Sequence, residues 1–117
     1  KDFRTWNATV LMAIELAKTA SEHDELNFRL SKQLVKNAVE RVSEYLGNTP
    51  AIARASYIDR RIIDLFNDRV VVSLEVANEP VPAGRMFSAN AERAVAEMLR
   101  NPRKADRQNL VDHLEAG

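Results

Sequence analysis

Apolar residues recur at three- and four-residue steps along most of the chain, the spacing that keeps side chains on one face of a helix. Phe3, Trp6, Val10, Ala13, Ile14 and Ala17 share such a face over residues 2–20, with Arg4 lying off it. The following SEHDELNFRL is polar, has no clear period and reads as a connection. A second helix begins at Ser31, whose hydroxyl suits an N-cap, and buries Leu34, Val35, Ala38, Val39, Val42 and Leu46. Lys36 and Glu40 are spaced to pair on its exposed side.

Gly47 ends that helix, because the position past the last turn commonly needs a positive φ that glycine adopts at no steric cost. Asn48 or Thr49 can cap the next helix, and Pro50 suits its first position, where no N–H is needed. A short helix follows through Ala51, Ile52, Ala53 and Ala55, with Tyr57 near its end. Ile58, Ile62, Ile63, Leu65 and Phe66 then predict a further turn or two of helix.

Beyond residue 67 the pattern changes. RVVVSLEV is β-branched and reads as a short extended segment without a partner strand, and NEPVPAG is a loop by its prolines and glycine. Ser88 can cap another helix with Ala91, Ala94, Val95, Met98 and Leu99 inward. A last amphipathic piece uses Leu110, Val111 and Leu114. The predicted class is all-α, a small helical bundle with a short extended segment near residues 69–76. It forms one unit over residues 1–117.

Composition narrows the chemistry. At 117 residues and 45% hydrophobic, the chain can bury a modest core of its own. No apolar run approaches the roughly 18 residues that span a bilayer, and no secretory pattern opens the sequence. The absence of cysteine excludes disulfides and thiolate metal sites and fits a reducing compartment. His23 and His113 lie too far apart to suggest a metal site. With 17 basic residues against 17 acidic ones, this chain by itself is not expected to grip DNA phosphates tightly.

One set of residues has chemical potential. A phenol, with an ordinary pKa near 10, is a useful nucleophile only where cations and hydrogen-bond donors stabilise the developing charge. Phosphoryl transfer to tyrosine therefore needs an arginine fork and neutral donors close by. Arg4, Asn48 and Tyr57 are candidates for those roles.

The stretches KDFRTWNATVL and LGNTPAIARASYID give that set its meaning. Together, in this order, they resemble the two consecutive C-terminal active-site boxes of the type IB DNA topoisomerases, in the bacterial form related to the poxvirus enzymes. The resemblance covers about the first 66 residues; 67–117 form a C-terminal extension with no motif to carry over. It implies that Arg4 binds the scissile phosphate and that Tyr57, nine positions after Asn48, becomes linked to DNA. The implied reaction is transesterification through a 3′-phosphotyrosyl intermediate, with strand rotation and religation, and without ATP, metal or other cofactor. Asn48 stands where the poxvirus pattern has histidine; an amide can donate a hydrogen bond but cannot carry charge or a proton.

The resemblance further implies double-stranded DNA as partner and a cytoplasmic, nucleoid-associated protein. The family's other arginine and its general-acid lysine lie upstream of the first box. The chain is accordingly expected to be a C-terminal part of a catalytic domain, inactive alone and partnered by the N-terminal part of the same protein. Lys1 and Arg54 are weaker candidates for DNA contact. Two alternatives stand beside this reading. Tyrosine recombinases share the chemistry but usually have histidine three residues before the arginine, where this chain has Lys1. A non-catalytic helical interaction module is the other.

Overall fold

The computed structural model describes residues 3–23 and 25–100, so Lys1 and the piece around Leu110, Val111 and Leu114 lie outside the described residues. The elements run α1 (Phe3–Ala20), α2 (Phe28–Leu46), α3 (Pro50–Ile52), a π-turn (Ala53–Tyr57), α4 (Arg60–Asn67), α5 (Leu74–Ala77) and α6 (Ala89–Arg100). No strand occurs among the described residues, and the unit is an all-α bundle.

Helix α1 is the central element, packing against α2, the π-turn, α4, α5 and α6. Its sequence accounts for this. Ala8, Val10, Met12, Ala13, Leu16 and Ala17 are buried on more than one face, and the alanines let neighbouring backbones approach closely. Val10, Met12 and Leu16 are sealed from solvent, each contributing roughly 1.5–3 kcal/mol of apolar burial. Phe3 departs from the expected face. It is 81% exposed and lies outside the core cluster.

Helix α2 buries the whole expected stripe from Leu34 to Leu46 but starts three residues earlier than its pattern indicated. Asn27 is the N-cap, its Oδ1 accepting from the Leu30 N–H at 2.7 Å. Ser31 instead lies buried inside the first turns, where its hydroxyl accepts from Arg69 at 2.8 Å. The aromatic ring of Phe28 faces out, with the Lys32 ammonium 4.7 Å from its centre, so this start carries no apolar period. Lys36 and Glu40 are both exposed and form no ion pair among the described residues.

Helix α4 is held at both ends. The Asp59 carboxylate caps its start, accepting from the Arg61 N–H at 2.9 Å. At its end Arg69 takes φ 67°, an αL residue without glycine, and its N–H and that of Val70 return to the carbonyls of Phe66 and Leu65. Phe66, fully buried, anchors α4 in the core.

The extended segment is shorter than the β-branched run suggests. Val70 and Val72 are buried and Ser73 is exposed, an alternation that suits extended backbone lying on a core. Ser73 then caps α5, its hydroxyl accepting from the Val76 N–H at 3.2 Å, so residues 74–77 form a helical turn. Ser88 caps α6 as its position suggests, accepting from the Ala91 N–H at 3.0 Å.

Candidate active site

The site is built where α2 stops. Gly47 adopts φ 72°, its N–H donates to the Glu44 carbonyl, and the Asn48 N–H donates to the Ser43 carbonyl at 3.1 Å. This pair of bonds is a Schellman cap, and it fixes the backbone of Asn48 through the helix end itself. Thr49, not Asn48, caps α3, its hydroxyl accepting from the Ile52 N–H at 3.3 Å. The half-buried Asn48 amide therefore has no capping duty and makes no hydrogen bond to a described residue.

From Ala53 the helix widens. The Ile58 N–H donates to the Ala53 carbonyl five residues back, at 3.0 Å, so the turn holds one residue more than an α-turn. That extra residue changes the direction of the side chain that ends the turn by about 100°. Ala53 is fully buried at the base of the turn, and Tyr57 ends it, half-buried.

Two groups from α1 meet this tyrosine. The Arg4 guanidinium lies over its ring, 5.4 Å from the centroid, and donates to the Leu46 carbonyl at 2.8 Å. That carbonyl belongs to the last residue of α2, where the helix dipole favours a cation. Thr9 holds the backbone on either side of the ring. Its hydroxyl accepts from the Asp59 N–H at 3.0 Å and donates to the Tyr57 carbonyl at 3.4 Å. Thr9 is 2% exposed, so neither bond is exchanged easily for water.

Beside the ring is a cleft of about 340 Å³, bounded by Trp6, Thr9, Tyr57, Asp59, Arg61 and Leu99. Asp59 and Arg61 form an ion pair at 2.7 Å, and the carboxylate raises the arginine's already high pKa, keeping it charged. Trp6 is part of the packing: its indole N–H donates to Glu92 at 2.9 Å. Arg54 is exposed on the π-turn and bonds none of the described residues.

Arg4 and Tyr57, 53 positions apart in sequence, are thus adjacent, and Asn48 follows by two residues the carbonyl that Arg4 holds. Thr9 was not singled out by sequence. The signal was present as a lone hydroxyl among the buried positions of α1, but such residues are often simply satisfied within their own helix.

An all-α unit that lays an arginine across a tyrosine, next to the break between α2 and α3, brings together the residue types that phosphoryl transfer to tyrosine needs. The family described as eukaryotic DNA topoisomerase I, catalytic core, matches residues 1–70, more than half of the chain. The protein belongs to that family, and DNA is the substrate that membership implies. The matched span includes both boxes and ends at the αL turn after α4. No curated protein matches the chain.

Proposed function

We propose that this chain carries the nucleophile and one phosphate-binding arginine of a type IB DNA topoisomerase, and that the two boxes set it with the bacterial, poxvirus-related branch. The observation that carries the reading is the Arg4 guanidinium 5.4 Å above the ring of Tyr57 on a widened helical turn. Tyr57 Oη attacks the scissile phosphorus in line, the phenol proton passes to solvent water, and the bond to the 5′-oxygen breaks. The products are a 3′-phosphotyrosyl ester and a 5′-hydroxyl, which reverses the step after strand rotation. The ester link preserves the phosphodiester's energy, so the cycle needs neither ATP nor a cofactor.

Arg4 acts by leaving the tyrosine ring for the phosphate. A partly exposed cation–π contact is worth about 0.5–1 kcal/mol, whereas a forked hydrogen bond to an anionic oxygen is charge-assisted and stronger. The ring contact thus keeps the guanidinium close without holding it back. Asn48, with its backbone fixed by the Schellman cap, donates its amide to a second non-bridging oxygen. Arg54 and Lys1 contact flanking backbone.

The leaving 5′-oxygen needs a proton, and among the described residues no lysine borders the cleft. We assign that proton, with a second arginine, to another part of the same protein, so the isolated chain is inactive. The test is relaxation of supercoiled plasmid by the full-length protein, with chelator and without ATP. Relaxation that disappears with Tyr57→Phe supports the reading. Relaxation that survives this change, or strand exchange between defined sites, overturns it.

A further inference from the structure

Past the family-matched span, two side chains reach back to the helix that carries Arg4. Glu92, in the first turn of α6, accepts from the Trp6 indole N–H at 2.9 Å on Oε1 and from Arg85 at 2.9 Å on Oε2. Met86 lies between two donors, with the Tyr45 hydroxyl 3.0 Å and the Asn7 amide 3.5 Å from its sulfur. Trp6 and Asn7 are two and three residues beyond Arg4 on α1, and Tyr45 adjoins Leu46, whose carbonyl Arg4 holds. Each contact therefore falls within one helical turn of the two ends of the Arg4 bond.

We propose that Glu92 is a positioning residue for the proposed reaction: through Trp6 it fixes the first turns of α1, and with them the Arg4 guanidinium, over Tyr57. The need arises from helix physics. The first turn of a helix lacks intrahelical partners for its N–H groups, and this one also projects an exposed Phe3, so by itself it would fray. Trp6 is the largest side chain in that region and borders the cleft beside Tyr57, so its indole sets both the helix and the wall.

Glu92 is well placed to hold it. The Ser88 cap fixes the start of α6, the helix dipole favours a carboxylate in the first turn, and Arg85 occupies the second oxygen and locks the rotamer. The exposed Arg85–Glu92 pair adds little stability by itself. Its effect is orientational. The extension thereby becomes part of the catalytic apparatus without touching DNA, which gives residues past the matched core a role beyond packing.

The inference rests on Arg4 acting at the phosphate, and its test separates the two. In the full-length protein, covalent adduct formation is timed in single turnover on a DNA duplex whose cleaved strand cannot religate. Trp6→Phe, which keeps an aromatic side chain but removes the N–H, and Glu92→Ala are each expected to slow the step by about ten- to a hundredfold. Glu92→Gln, which keeps an acceptor, is expected to restore most of the rate. Duplex affinity should be unchanged in all three.

The deciding measurement is the same pair of changes in an Arg4→Lys background, where a cation remains and the reaction stays measurable. A positioning role predicts that Trp6→Phe then slows the step much less than in the parent. Equal slowing in both backgrounds, or no slowing in the parent, overturns the inference. If Arg4→Lys itself leaves the rate unchanged, the phosphate role of Arg4 fails and the inference fails with it. Melting temperature serves as the control: a Trp6→Phe rate loss that is recovered by cooling to a fixed interval below each variant's own midpoint is a folding effect and counts against positioning.

Discussion

The Arg4 guanidinium rests on the face of the Tyr57 ring, 5.4 Å from its centre, while one of its nitrogens bonds the last turn of α2 at Leu46. One residue thus joins the start of α1, the end of α2 and the end of the π-turn. The start of α1 is a helix N-terminus, whose unpaired N–H groups suit an anion, whereas the end of α2 presents carbonyls, which suit the guanidinium. In the proposed reaction Arg4 exchanges a ring and a carbonyl for phosphate oxygens.

Thr9 should matter as much to the tyrosine as Arg4 does. Thr9→Val keeps the shape and removes the hydroxyl, leaving the Asp59 N–H without its acceptor, for an expected loss of about 1–3 kcal/mol of stability. Thr9→Ser keeps both bonds and loses one methyl group, for about 0.8 kcal/mol. Urea unfolding measures both. In the full-length protein, adduct formation should slow markedly for Thr9→Val and little for Thr9→Ser. Equal rates for the two would show that the backbone clamp has no part in the chemistry.

Asn48 is assigned a positioning hydrogen bond, so its contribution should not titrate. Asn48→Leu should slow cleavage strongly, because the amide donor is lost. Asn48→His should remain active and add a new inflection near the ordinary imidazole pKa of about 6.5, with faster cleavage on the acid side, where the imidazolium donates more strongly to an anion. The parent should lack that inflection. A rate profile of Asn48→His that matches the parent between pH 5 and 8 would remove residue 48 from the phosphate.

Two left-handed turns bracket the site region and predict opposite responses to substitution. At Gly47, φ is 72° and a Cβ would meet nothing within 4 Å, so Gly47→Ala should cost only the conformational penalty of about 1–2 kcal/mol. At Arg69 the left-handed backbone is occupied by a side chain that bonds the Ser31 hydroxyl and the Leu26 carbonyl. Removing the side chain loses both bonds. Arg69→Gly should nevertheless be more stable than Arg69→Ala by about 1 kcal/mol, since glycine relieves the backbone. Thermal unfolding of the three variants checks the order.

What could be read from sequence follows from how each element is stabilised. Helix α2 was legible along its whole stripe because it buries one face and exposes the other, and Gly47 marked its end. Its start was not, because the capping Asn27 precedes Phe28, an apolar residue that faces out. Phe3 misled for the same reason: periodicity gives a face but not whether another element covers it. The run from Val70 read as extended because it is β-branched, and the turn that ends it depends on the Ser73 cap. Of the candidate site, Arg4, Asn48 and Tyr57 were picked out by the resemblance of the two boxes that hold them. The π-turn and Thr9 did not, since one is a single misdirected hydrogen bond and the other a tertiary contact across 48 positions.

The central claim is that the Tyr57 oxygen takes up the DNA strand, and one measurement reaches it directly. Full-length protein is mixed with a duplex whose 5′-leaving strand diffuses away on cleavage, then digested, and the DNA-linked peptide is sequenced by mass spectrometry. The expected product is the 53–57 turn carrying a 3′-phosphorylated nucleotide on Tyr57, with no such peptide from Tyr57→Phe. An adduct on another residue, or an undiminished yield from Tyr57→Phe, would contradict the account.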